Sequence, residues 1–149
     1  MPVVSYLSVS NSPPLVGVGC NPATFTCKLA RKARAYSLSL LGSGTLSSVE
    51  RLAKTSGAAV KDKLLAIGLA HHRGVELAVP VINGAEATLE CSLYRTLKLG
   101  DHVVLVGKVE AAYATGAFTD FWDFGRYAPI LYTGWRDGMT TYSVARRRT

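Results

Sequence analysis

Residues 87–111 carry an alternation that leaves the chain few ways to fold. Ala87, Leu89, Cys91 and Leu93 alternate with Thr88, Glu90, Ser92 and Tyr94. Beyond a turn at Gly100-Asp101, Val103, Leu105, Gly107, Val109 and Ala111 keep the same period. A period of two places successive side chains on opposite faces of an extended strand. The two runs therefore read as partners in a long antiparallel hairpin with an apolar face and a polar one.

Other strand signals surround this hairpin. Residues 3–10, VVSYLSVS, mix β-branched, aromatic and serine residues. A turn follows at Asn11-Ser12-Pro13-Pro14, because each proline fixes φ and cannot donate to a ladder. Residues 15–20 are nearly all apolar or glycine, as in a strand covered on both faces, and Asn21-Pro22 ends them. Thr26 is placed as the N-cap of a helix over about residues 27–35. YSLSLL (36–41) alternates up to a break at Gly42-Ser43-Gly44. Ser47-Ser48-Val49-Glu50 fits a capping box, Val49, Leu52 and Ala53 follow at helical spacing, and Gly57 stands at the C′ position. VKDKLLAIG is a second short helix ending at Gly68. Residues 118–127 form an aromatic, irregular loop, and PILYTGW (129–135) turns through Asp137-Gly138 into MTTYSVA. Six or seven mostly antiparallel strands with two or three early helices describe a mainly β chain. An antiparallel barrel with helices on one side suits this better than a doubly wound sheet.

With 149 residues, 48% hydrophobic and 18% charged, the chain reads as one globular domain rather than a disordered segment. It has no uninterrupted apolar run of the roughly 18 residues that a membrane helix needs. The opening MPVVSYLSVS lacks the basic start of a signal peptide, so a cytoplasmic protein without membrane association is expected. Cys20, Cys27 and Cys91 are odd in number and lack C-x-x-C spacing, which points away from a disulfide framework or a zinc site. Cys20 and Cys91 sit in apolar runs and read as packed. His71 and His72 have no metal-ligand spacing partner. The net charge of +7 calls for an anionic partner, and clusters lie at Lys28, Arg31, Lys32 and Arg34 and at Arg146-Arg147-Arg148. No nucleic-acid motif or aromatic-basic interleave accompanies them, which disfavours nucleic acid. G-x-G-x-x-G and Walker loops are absent as well.

In order along the chain stand SYLSVSNSPPLVGVGCNP, a helix, YSLSLL, PVINGAEATLECSLYRTLKLGDHVVLVGKVEAAY and PILYTGW. This order resembles the flavin reductase-like FMN-binding split barrels. In that family a serine-rich strand runs into Pro-Pro-Leu. There follow P-x-x-x-G-A-x-A-x-L-E-C, G-D-H-x-x-x-x-G-x-V and P-x-L-Y-x-G, matched here by residues 80–91, 100–109 and 129–134. The resemblance spans about residues 4–135. It implies a six-stranded antiparallel split β-barrel that forms a homodimer and binds FMN near the interface, with FAD left open. The activity implied is hydride transfer from NADH or NADPH to flavin. The alternatives are an electron carrier that keeps its FMN without nicotinamide turnover, and a basic nucleic-acid module on the same scaffold. An electron-acceptor protein is a further candidate partner.

The same resemblance implies a set of site residues. Ser5, Tyr6, Leu7 and Ser8 would run along the flavin ring edge. Cys20, Asn21, Thr24 and Thr26 would surround the phosphate, whose charge is met by hydroxyls, backbone N–H groups and a helix N-terminus. Lys63 occupies the place of a phosphate-directed lysine, and His102 is a candidate contact for flavin or nicotinamide. Tyr132 and Trp135 are candidates to flank the open flavin face. Many members carry an arginine after the Asn-Pro turn; here residues 23–25 are Ala-Thr-Phe, which leaves the phosphate to the threonines, the backbone and Lys28 or Lys63. The family's first strand has no counterpart, so the true start lies upstream or the barrel closes differently, with MTTYSVA as a candidate strand. The face carrying Ala85, Ala87 and Leu89 is expected to be open in one subunit and covered by a second.

Overall fold

The structure is a computed structural model that describes residues 1–2, 6–116, 118 and 122–145. Ser5 and the Arg146–Arg148 cluster lie outside the described residues. Strands β1 (Tyr6–Asn11) and β2 (Pro14–Cys20) lead into helix α1 (Phe25–Ala33) and strand β3 (Ala35–Leu40). A 3-10 turn at Ser43–Thr45 precedes helices α2 (Leu46–Lys54) and α3 (Lys63–Ala66). Strands β4 (His71–Arg73), β5 (Pro80–Ile82), β6 (Ala87–Leu99) and β7 (His102–Ala114) follow. The described chain closes with β8 (Ile130–Arg136) and β9 (Met139–Val144).

The long hairpin forms as its period requires. β6 and β7 pair antiparallel from Ala87–Ala114 to Leu99–His102, with bulges after Glu90 and Leu93. β2 lines up on the other side of β7, Leu15 opposite Lys108 and Cys20 opposite Val103. The main sheet runs β1-β2-β7-β6-β3 and is antiparallel throughout. It holds five strands, where the resemblance implies six. MTTYSVA does not join it: β9 pairs with β8 in a separate ribbon, and α2 packs against β9. A second ribbon, β4–β5, has no counterpart in the sequence reading, since strands of three residues are too short for a period to show.

Two clusters form the core. Val18, Cys20, Cys27, Ala30, Leu38, Leu93, Val103 and Leu105 fix α1 against the sheet. Leu52, Ile67 and Leu69 join α2 to the segment behind α3. Tyr36 crosses the sheet to reach the carbonyl of Leu105 at 3.3 Å, passing over Gly107. A Cβ on Gly107 would stand 2.7 Å from that of Cys91, so the crossing requires glycine.

The polar face of β6 is a correction to the alternation argument. Thr88 and Glu90 are 2% and 0% exposed, not solvated. The segment between β4 and β5 folds over Glu90, and the Thr88 hydroxyl lies 3.4 Å from that of Ser39. Glu90 accepts hydrogen bonds from the amides of Val75 (2.7 Å), Glu76 (3.1 Å) and Leu77 (2.7 Å) and from the Tyr113 hydroxyl (3.0 Å). Burial alone would raise its pKa; the three amides and Tyr113 outweigh burial and hold it below the usual carboxylate range. The face assigned to a partner is also partly closed within one chain, with Ala87 buried and Leu89 packed on the first core cluster.

All three helix starts differ from expectation; α3 begins at Lys63 rather than at residue 60, because Asp62 caps it by accepting from the Leu65 amide. α1 begins at Phe25, and its N-cap is Thr24, not Thr26. α2 begins at Leu46, so Ser47 to Glu50 lie inside the helix and form no capping box. Thr45 precedes it without a side-chain cap; its hydroxyl donates to the Gly42 carbonyl at 2.8 Å. The same helix closes through the Thr55 amide on Arg51, two residues before Gly57. Gly57 instead lies under Phe25, where a Cβ would meet the Phe25 ring at 2.9 Å.

Candidate functional site

The end of β2 and the head of α1 build a tight corner. Asn21 accepts from the Ala23 amide through Oδ1 (2.8 Å), and its carbonyl accepts from the Thr24 amide (3.1 Å) and hydroxyl (2.9 Å). The Thr24 oxygen in turn accepts from the Cys27 amide at 3.4 Å. An extended Thr24 (φ −66°, ψ 142°) makes this reach possible, the geometry of an N-cap. The Lys28 amide bonds the Thr24 carbonyl. The amides of Phe25 and Thr26 have no partner among the described residues, as expected for a first helical turn. Thr26, the residue assigned from sequence to the helix entrance, stands in that turn, partly exposed, two residues past the cap at Thr24.

Charge at this corner is one-sided. α1 has no acidic residue in its first turn, and Lys28, Arg31 and Lys32 follow. Lys63, at the start of α3, lies against the same corner: a Cβ on Gly57 would approach both Phe25 and the Lys63 chain. Burial lowers the Lys63 pKa. The Met1 amine, nearby, is lowered to about 6, first by burial and then by the Lys63 charge. Met1 also lies against the site, its Sδ 3.6 Å from the Thr24 oxygen. Donors without acceptors and cations without carboxylates suit an anion, and the helix dipole adds to them.

The other residues singled out in the sequence fall into two groups. Asn21, Thr24, Thr26 and Lys63 come together at the corner, and His102 is on its flank, next to Val103, the partner of Cys20. His102 is exposed and its Nδ1 stands 2.8 Å from the Asp101 carboxylate. Cys20 is at the corner but turns inward, its thiol against that of Cys27. Tyr6, Leu7 and Ser8 lie on the outer strand of the sheet, opposite Val18, Gly17 and Val16, and all three are exposed. Tyr132 packs edge-on against Tyr142, and Trp135 is 67% exposed on the β8–β9 ribbon.

Two cavities open at the far end of the β6–β7 hairpin. One, of about 200 Å3, lies between His72, Thr88, Tyr113 and Thr115; the other, of about 190 Å3, between Ser43, Thr45, Glu86 and Arg126. None of the residues singled out in the sequence for the cofactor lines either cavity. The histidines serve local structure: His71 pairs with Asp62 at 2.9 Å, and His72 bonds Asn83 at 2.6 Å. Among the described residues no group of three His, Cys, Asp or Glu is placed to hold a metal, and no helix is long and apolar enough to cross a membrane.

Comparison with known proteins places this geometry in context. The model of flavin reductase-like domains matches residues 1–132. A protein of Aeropyrum pernix is 29% identical over 130 residues, which cover 87% of this chain and 49% of that protein. The NADH-dependent FAD reductase of Streptomyces globisporus is 30% identical over 108 residues, 72% of this chain and 58% of the reductase. The chain thus spans only about half of the first relative's length and under two thirds of the second's. Among solved structures, the FMN-binding protein of Thermus thermophilus with bound p-hydroxybenzaldehyde aligns at a TM-score of 0.80 and 31% identity, over 99% of this chain and 78% of that one. Its fold is shared: mainly β, antiparallel, the split-barrel type, with slightly different strand numbers.

Proposed function

The chain belongs to the flavin reductase-like family, and from that premise we propose that it binds FMN and transfers hydride to it from NADH or NADPH. The observation that carries this reading is the donor set at the head of α1. A phosphate monoester needs several donors and net positive charge. The Phe25 and Thr26 amides, the Thr26 side chain, Lys28 and Lys63 supply both without a glycine-rich loop, on a helix start that Thr24 caps. Asn21 adds a side-chain amide at the same corner, toward phosphate or ribityl oxygens.

β1 supports the ring end of this reading. As an edge strand it has, among the described residues, no strand partner for the backbone donors and acceptors on its outer side, where Tyr6, Leu7 and Ser8 are exposed. Ser5 belongs with them in the family position. FMN, when bound, supplies the hydride chemistry itself; the chain's residues bind and orient it. His102 flanks the corner as a contact for flavin or nicotinamide. Trp135 and Tyr132 are the aromatic candidates beside the open face.

A homodimer fits the same surface. Tyr6, Leu7 and Val9 are 44%, 53% and 45% exposed along one edge strand, a row that a second copy would bury. We take residues 1–149 as one domain that works in the cytoplasm, with a protein electron acceptor as an open partner. The similarity to an FMN-binding protein of Thermus thermophilus also supports a carrier that holds flavin without nicotinamide turnover. Steady-state oxidation of NADH and NADPH with excess FMN tests the two: turnover is expected for the reductase, and a yellow protein without turnover would contradict it.

A further inference from the structure

Three cysteines without C-x-x-C spacing argue against a disulfide framework, yet the fold brings two of them together. Cys20 ends β2, Cys27 stands in the first turn of α1, and the corner between them doubles back until their Sγ atoms are 2.6 Å apart. Both thiols are free, at 3% and 0% exposure. That separation is inside the van der Waals contact of two sulfurs, so the fold already brings the pair to bonding approach. We propose that Cys20 and Cys27 form an oxidation site, a dithiol that a small hydroperoxide converts to an intramolecular disulfide tying the end of β2 to the head of α1.

The chemistry balances with the peroxide as the only co-reactant. One cysteine, losing its proton as it reacts, attacks a peroxide oxygen. The O–O bond breaks, a sulfenic acid forms on sulfur, and an alcohol leaves, or water when the oxidant is hydrogen peroxide. The second sulfur then displaces the sulfenic hydroxyl, which departs as water with the second thiol's proton. Two electrons pass from the two sulfurs to the peroxide, and one S–S bond replaces two S–H bonds.

The surroundings define what the site accepts. Burial excludes large oxidants and pushes the Cys20 thiol up to about 12, helped by the Cys27 hydrogen bond; Arg31 acts in the opposite sense and more weakly. The site is therefore slow and stoichiometric, consuming one peroxide per chain. Cys91 is a built-in control: it is equally buried and also raised to about 12, first by burial, but it has no sulfur partner among the described residues. Pairing, not acidity, sets Cys20 and Cys27 apart. The ring they would close contains Asn21 and Thr24, so oxidation would stiffen the corner. The site itself rests on the sulfurs and not on flavin binding.

The test uses the full chain without flavin. The protein is treated with hydrogen peroxide, unfolded, alkylated and analysed by peptide mass spectrometry. The expected result is loss of two of the three alkylatable thiols, a peptide linking Cys20 to Cys27, reversal by a dithiol reductant, and free Cys91. Cys20→Ala and Cys27→Ala should each abolish the link. Amide exchange over residues 21–26 should slow in the oxidised wild-type chain. Three free thiols after a dose that oxidises the unfolded chain, equal loss of Cys91, or sulfinic acid without a link would each overturn the proposal.

Discussion

Thr24 and Thr26 are two residues apart and have different roles in this structure, which makes them a direct comparison. Thr24→Ala removes the N-cap and is expected to cost about 1 kcal/mol of stability. It should also weaken FMN binding, because the Phe25 and Thr26 amides lose the cap that holds the helix start in place. Thr24→Ser keeps the hydroxyl and should spare both. Thr26→Ala leaves the cap in place and should change stability by no more than about 0.5 kcal/mol. Thermal unfolding and flavin titration at fixed ionic strength check all three; a stability loss confined to Thr26→Ala would refute the cap assignment. Glu90 gives the second residue-scale prediction. Its folded pKa is depressed, so its contribution is present above the unfolded value of about 4.3 and is lost as pH falls through the lower folded value. Glu90→Gln should cost about 2 kcal/mol or more at neutral pH, because the amides of Val75, Glu76 and Leu77 lose their charged acceptor. That loss should shrink as acid titrates the wild-type carboxylate in urea unfolding curves below about pH 4. An equal gap between wild type and variant at every pH would contradict the role given to Glu90.

Elements were legible where a period or a turn residue speaks for itself. The β6–β7 hairpin and the Asp137-Gly138 turn stand where the residues place them, while the short helix before Gly68 keeps only Lys63–Ala66 of residues 60–68. Helix starts were less legible, because TFT at residues 24–26 offers two threonines and only tertiary position decides which hydroxyl reaches the Cys27 amide. The polar face of β6 misled for a clearer reason. Period shows which residues share a face, but not that a distant segment will cover it and supply amides to Glu90. At the corner, the resemblance names Asn21, Thr24 and Lys63, and the fold brings these three near one another. The roles of Phe25 and Gly57, and the meeting of Cys20 with Cys27, depend on contacts between segments that no local pattern encodes. Gly107 provides the element-scale prediction. Gly107→Ala forces a methyl group against Cys91 and the Tyr36 crossing, and should destabilise by about 1–3 kcal/mol. Denaturant unfolding measures this; an alanine variant as stable as wild type would show that the strands can part.

For the molecule as a whole, the net charge of +7 and the absence of acidic residues in the first turn of α1 favour an anionic ligand such as the proposed FMN. Exposed charges are screened within about 8 Å at physiological ionic strength, so FMN affinity should fall as salt is raised. The uncharged ring contacts along β1 should be less sensitive, and riboflavin, which lacks the phosphate, should bind more weakly and with little salt dependence. The most direct measurement is a titration of the apoprotein with FMN, followed by flavin fluorescence, for wild type and Lys63→Ala at low and moderate salt. The account predicts saturable binding at one FMN per chain, weakened about tenfold by Lys63→Ala, with the variant losing part of the salt dependence. No saturable binding, or equal affinity and equal salt dependence in both proteins, would contradict it.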